Sequence, residues 1–251
     1  AAGRGHGPFT TRSNSRGFRC VRSNPTWNVM ESPTTSHLRS VWGSSDSNVW
    51  AVGLNGTLLH YDGQSWKPYS SGVTISLTGI WGTSASNIYA IGHQMTILQW
   101  NGTSWNSVNT NQQASNLSGI HGTSSSNVWI TGDGARAFYY NGNKWAMFKT
   151  SAPSWLTHAW SYAPGKAFVV GYNAAILYYD GSKWIAHSSP ATNNLYGIWG
   201  TSLNNIYAVG GLGTYFYDGS KWSQITSKGS TAGYSIHGNS ASNIYHTTTA
   251  G

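Results

Sequence analysis

Six carboxylates are all the side-chain acid that this 251-residue chain contains: Glu31, Asp46, Asp62, Asp133, Asp180 and Asp218. Three of them open the same short phrase, "DGQSW" at 62–66 and "DGSKW" at 180–184 and 218–222. Two more copies, "NGTSW" at 101–105 and "NGNKW" at 141–145, carry Asn in the acid's place. A glycosidase needs two carboxylates held at a set separation across a sugar. A carboxylate doing that work does not exchange with an amide. One whose oxygen accepts backbone N–H groups in a turn exchanges freely. The five phrases therefore read as turns. Asp or Asn leads in, Gly takes a conformation other residues resist, and Trp begins the next strand.

The remaining reactive residues form no constellation. The nine histidines include no H-x-x-x-H pair on a helix. His121 and His237 stand where Trp42, Trp81 and Trp199 stand in sister segments, and so read as packing substitutes. The single cysteine, Cys20, rules out an intramolecular disulfide, and no paired-cysteine zinc spacing exists. Cys20 reads as a small buried hydrophobe. There is no G-x-S-x-G phrase and no helical periodicity to receive one. The expectation is no catalytic residue, no metal and no cofactor.

The elements that carry these residues repeat. The tryptophans Trp27, Trp66, Trp105, Trp145, Trp184 and Trp222 are spaced by 39, 39, 40, 39 and 38 residues. A second phrase keeps the same period: "SVWGSSDSNVWAVG" at 40–53, "GIWGTSASNIYAIG" at 79–92, "GIHGTSSSNVWITG" at 119–132, "GIWGTSLNNIYAVG" at 197–210 and "SIHGNSASNIY" at 235–245. A degenerate copy, "HAWSYAPGKAFVVG", lies at 158–171. In the second unit, strands are expected at about 77–81, 87–91, 96–100 and 104–109, separated by Gly, Asn and Ser turns. A period of about 40 residues with four strands each predicts an all-β propeller. Gly43, Gly82, Gly122, Gly200 and Gly238 end the first strand of their units, where crowding at the axis leaves no room for a side chain.

The last unit stops after two strands, at "NIYHTTTAG". The complement stands at the other end: "GFRCVR" at 17–22 as a third strand and "TWNVMES" at 26–32 as a fourth. Six blades, the ring closed by strands from both termini, are expected, with five blades plus a partial one as the alternative.

The phrase "GTSASNIYAIG…TILQWNGTSW" resembles a bacterial propeller repeat of the form "WGTSxxNVYAVGxxGTILHYDGxxW", related in pattern to tectonin-type lectin and Asp-box repeats. The resemblance covers about 27–251 and implies the fold; the architecture serves many roles. "SRGFRCVRSNP" resembles the C-terminal end of formylglycine-generating-enzyme (sulfatase-modifying-factor) domains. That implies that residues 1–24 are a basic tail or the trailing edge of an upstream domain, with the propeller occupying 25–251.

The net charge is +8, but Arg4, Arg12, Arg16, Arg19 and Arg22 all fall in the first 26 residues, which hold no acid. The body keeps about +3, so its basicity gives no nucleic-acid footprint. No apolar run approaches the roughly 20 residues of a membrane span. Low charge and a polar, uncharged surface suit an extracellular, periplasmic or cell-surface protein.

Function is expected in binding. The loops between second and third strands vary in chemistry while their flanks do not. They nominate His93, Gln94, Asp133, Arg136, Tyr172 and Asn173 as a ligand-binding face. With 14 Trp and 15 Tyr, repeated aromatic grooves between blades point first to a glycan partner. A rigid platform for a protein surface is the alternative.

Overall fold

The computed structural model describes residues 19–20, 28–112, 115–225 and 232–248. Five repeats each fold into a four-stranded antiparallel sheet in which chain neighbours are sheet neighbours. Blade 1 consists of Leu38–Ser45, Asn48–Gly53, Leu58–Tyr61 and Trp66–Tyr69, and blades 2 to 5 repeat it over 77–107, 117–149, 156–186 and 195–225. The strands of the second unit are Leu77–Ser84, Asn87–Gly92, Ile97–Trp100 and Trp105–Ser107, close to the expected spans. The degenerate fourth unit makes the same opening hairpin, Leu156–Ala163 against Lys166–Gly171.

The first strands of successive blades touch one another, and each second strand packs on the first strand of the next blade. Hydrophobic cores therefore lie in the seams. Trp50, Val52 and Leu58 of blade 1 meet Leu77, Ile80 and Leu98 of blade 2, all buried. Each such side chain contributes about 1.5–3 kcal/mol. The motif tryptophans close the outer part of the seam: Trp105 meets Trp50 at 5.4 Å, Trp145 meets Tyr89 at 6.3 Å and Trp184 meets Trp129 at 5.7 Å. Trp66 and Trp222 are buried as well, and Trp27 lies outside the described residues.

The expected crowding of the repeat glycines has a specific cause. The first-strand tryptophan of one blade lies over the glycine of the next: Trp42 over Gly82, Trp81 over Gly122, Trp160 over Gly200 and Trp199 over Gly238. The degenerate unit keeps the relationship in altered form. His121 replaces the indole and Ser161 replaces the glycine, and the Ser161 amide donates to His121 Nδ1 at 3.0 Å.

At the ends, Arg19–Cys20 pairs with Asn28–Val29, and Gly233–Ser240 pairs with Asn243–Thr248. Among the described residues no ladder joins these two-stranded sheets. The first strand of the C-terminal hairpin packs on blade 5 but makes no comparable seam with Leu38–Ser45. The observed architecture is five full sheets plus a partial one. Of the expected strand at 17–22, only Arg19 and Cys20 are described; the rest of 1–24 lies outside the described residues.

Candidate functional site

The repeated carboxylates are consumed by turns. Asp62 Oδ1 accepts the amides of Gln64 and Ser65, both at 3.0 Å. Asp180 Oδ1 accepts those of Ser182 and Lys183 at 2.8 and 2.9 Å, and Asp218 Oδ1 those of Ser220 and Lys221 at the same distances. Asn101 and Asn141 hold the matching amide pairs through their Oδ1 atoms. The next residue has φ near +100°, from 92° at Gly142 to 103° at Gly181, which glycine adopts without cost. Hydrogen bonds stabilise the ionised form. The Lys183 and Lys221 amides, first among the donors, hold the Asp180 and Asp218 carboxyls down to about 2. Lys67 draws Asp62 lower still.

The six nominated residues share one face. Each of their loops is tied to the segment entering its own blade: the His93 amide donates to Ser76 O at 3.1 Å, Asp133 to Asn116 O at 3.0 Å and Tyr172 to Trp155 O at 2.9 Å. Two loops also reach the next linker. The Gln94 amide donates to Asn116 Oδ1 at 3.2 Å, and the Asn173 amide to Asn194 Oδ1 at 3.0 Å. The loop tips carry consecutive left-handed residues, Gln94–Met95 (φ 53° and 60°) and Asn173–Ala174 (both 56°). His93, Gln94 and Asn173 are exposed, while Asp133, Arg136 and Tyr172 are half-buried. Asp133 and Arg136 pair with each other at 3.3 Å, and the Ser115 hydroxyl donates to the same carboxylate oxygen at 2.6 Å.

A feature of this face escapes the loop-by-loop reading. Trp155, Tyr172, Tyr196 and Tyr234 form a row with ring centres at 5.9, 6.3 and 5.2 Å in turn. Tyr196 and Tyr234 stack at 25°. Tyr234 is 53% exposed, a large apolar ring offered to solvent. Both tyrosines occupy the second position of a first strand. In blades 2 to 4 that position is Thr78, Ser118 or Thr157, whose hydroxyl donates across the seam to Leu117 O, Leu156 O or Leu195 O at 2.8, 2.5 and 2.7 Å. Tyr196 and Tyr234 break that Ser/Thr pattern, and the break is visible in the aligned repeats.

Three histidines lie on first strands: His121, His158 and His237. Burial lowers His121 to about 3 and His158 to about 4, and lowers His237 as well. His158 and His237 also oppose protonation of His121. The rings of His121 and His237 sit 6.1 Å from Trp81 and Trp199. His121 is half-buried and accepts the Ser161 amide, while His237 is exposed, so neither repeats the packing of a sister indole in full. Among the described residues, no three His, Cys, Asp or Glu side chains group to hold a metal ion. No described helix is long and apolar enough to cross a membrane.

No family model and no curated protein matches the chain. Solved structures do. YCF48 bound to a D1 peptide shares 14% identity at TM-score 0.57, with 95% of this chain and 96% of that one covered. The WD40 repeats of RRP9 share 8% at TM-score 0.65, with 82% and 71% covered. A catalytically inactive virginiamycin B lyase from Staphylococcus aureus, solved with quinupristin, shares 12% at TM-score 0.66, with 85% and 78% covered. At such identities the likeness concerns the fold: a propeller-like array of repeated antiparallel sheets.

Proposed function

We propose that this chain is a non-catalytic protein-interaction platform whose loop face holds an extended segment of a partner protein. The observation that carries the reading is the row Tyr172–Tyr196–Tyr234, adjoining rings next to Asn173. We extend the same face to the equivalent loops of blades 2 and 3, with His93, Gln94, Asp133 and Arg136. Rigid aromatic rings give large contact area at little entropic cost. The peptide in the YCF48 structure and the WD40 neighbours support a protein rather than a glycan partner. Carbohydrate, the first expectation from composition, takes second place. It called for equivalent grooves between blades, and the seams are unequal: indoles occupy them at Trp50 and Trp129, a phenyl ring at Phe168. The commitment of Asp62, Asp180 and Asp218 to turns supports a role without catalysis. Low charge and a polar surface support work outside the cytoplasm.

We also read the two terminal hairpins as halves of a sixth blade. Arg19–Cys20 pairing with Asn28–Val29 matches the third and fourth strands that Gly233–Thr248 lacks.

The test is selection of displayed peptides on the immobilised full chain, followed by calorimetry with the wild type and with Tyr196→Ser and Tyr234→Ser. The reading expects a peptide consensus whose binding weakens about tenfold or more in both variants, as loss of an aromatic anchor does. No peptide consensus, together with hits on a broad glycan array, would return the carbohydrate reading to first place.

A further inference from the structure

On the opposite side of the sheets from the loop face, a cavity of about 780 Å³ opens between blades 4 and 5. Its walls are rings. Phe168 stacks on Tyr178 at 4.7 Å, and His187 meets Phe168 and Tyr217 edge-on, each at 5.4 Å. Tyr162 and Tyr178 join their hydroxyls at 2.7 Å. The turn from Thr201 to Asn204 and the exposed side chains of Ile185 and Leu203 form the rim.

The cavity has an origin in the repeat. Phe168 pairs with Tyr178 in the register where Trp50 pairs with His60 and Trp129 with Tyr139. The Trp50 indole reaches across its seam to Trp100 at 5.1 Å and Trp105 at 5.4 Å. Trp129 reaches Tyr179 at 5.4 Å and Trp184 at 5.7 Å. Among the described residues of the next blade, Phe168 makes ring contact with Tyr217 alone, at 5.9 Å. An indole thus holds this position in blades 1 and 3 and a phenol, Tyr89 or Tyr207, in blades 2 and 5, while beside Phe168 the groove stays open.

Its chemistry narrows the ligand. Among the described residues, no Lys, Arg, Asp or Glu side chain lines it. Burial lowers the pKa of His187 and raises those of Tyr162 and Tyr217, so these groups are neutral at pH 7. Asp180 and Asp218 act on Tyr162 and Tyr217 from neighbouring turns but do not line the space. A charged ligand would lose its hydration with no countercharge to meet. Most of the polar groups are already engaged with protein: the phenols of Tyr162 and Tyr178 with each other, the Tyr217 hydroxyl with Gly219 O at 2.9 Å, Ser202 Oγ with Asn204 Oδ1 at 2.6 Å and Thr201 Oγ1 with Asn205 Oδ1 at 3.2 Å. The neutral His187 imidazole is the exception among the described side chains. A sugar would bury several hydroxyls against a wall that offers little beyond the one imidazole to receive them. A flat apolar ring would not, and the volume falls in the range of small-molecule sites.

We propose that this groove binds a free, uncharged aromatic small molecule of one or two fused rings, occupying space of the kind that an indole fills in the seams at Trp50 and Trp129. The site is independent of the loop face and of the partner proposed for it.

Indole is the probe, with N-acetyltryptophanamide and methyl glucoside beside it, read by saturation-transfer NMR and calorimetry on the full chain. Indole should bind with a dissociation constant on the order of a millimolar or tighter. Phe168→Trp fills the groove with the residue of blades 1 and 3 and should weaken indole about tenfold or more while keeping or raising the melting temperature. Leu203→Asp, at the exposed rim, should weaken it as well and leaves the seam untouched. Unchanged indole binding in both variants, or no indole binding to the wild type, overturns the site. Tighter binding of the tryptophanamide overturns the free-molecule assignment in favour of a partner's side chain, and tighter binding of the glucoside overturns the aromatic class.

Discussion

The indole of Trp81 lies over Gly122 of the next blade, with its Cη2 atom 2.6 Å from where a β-carbon on that glycine would stand. The carbonyl of Asn127 is closer still, at 2.3 Å. A methyl group there must displace a rigid ring and a backbone carbonyl together. Gly122→Ala should therefore cost about 1–3 kcal/mol, toward the upper end. At Gly43 in blade 1 the nearest described obstacles are the Val49 side chain at 2.9 Å and Asn48 O at 3.2 Å, not an indole. Gly43→Ala should cost less, and thermal melts of the two variants rank them. Equal losses would show that the indole is not the obstacle.

At the turns, Asp180→Asn should shift stability by less than about 0.5 kcal/mol, because Asn101 holds the same amide pair. Trp145→Ala empties a seam and should cost about 3–5 kcal/mol. Denaturant titration separates the two. A large loss for Asp180→Asn would mean that its negative charge matters.

Acid should weaken the fold in two windows. His121 and His158 sit at about 3 and about 4 in the folded chain, below the unfolded value of about 6.5. As pH falls below about 6.5 the unfolded chain takes up protons that the folded one refuses, so stability drops. Asp180 and Asp218, held at about 2, add a second loss only below about pH 4. His158→Ser, the residue at Ser40 and Ser235 in sister units, should make the first window shallower, where His121 still acts, and leave the second. Melting temperatures between pH 7 and pH 3 test this, and an unchanged slope above pH 4 would count against it.

Ala174 holds φ at 56°, a left-handed conformation that crowds its β-carbon. Ala174→Gly should stabilise the chain by up to about 1 kcal/mol, the relieved strain being partly offset by glycine's entropy. A lower melting temperature would show that the methyl group contributes packing worth more than the strain.

The period, the strand spans and the turn chemistry are legible in the sequence because each is local. Asp62 and Gly63 announce their turn within four residues. Relationships across a seam are not. Ser161 reads as decay of the repeat until His121 is seen to accept its amide. Thr78, Ser118 and Thr157 pass for ordinary strand residues, since their partners lie 38 or 39 positions away. The row through Tyr196 and Tyr234 depends on three different blades and has no signature in any one. The groove at Phe168 is assembled from residues of two blades, Tyr162 to His187 on one side and Thr201 to Tyr217 on the other, and has no signature in either.

The hydroxyl contacts of Thr78, Ser118 and Thr157 give the array a mechanical direction. They act as rivets on the seams after blades 2, 3 and 4, and at the next seam Tyr196 takes the place of the rivet. In an assembly stabilised by nearest neighbours, the least fastened joint opens first. Amide exchange should then be faster in the hairpin Gly233–Thr248 than in blades 3 and 4, as an array unzips from one end. The stacked rings of Tyr196 and Tyr234 straddle that joint. A segment clamped across them would serve as the missing rivet, so occupancy of the loop face and closure of the last seam would strengthen each other.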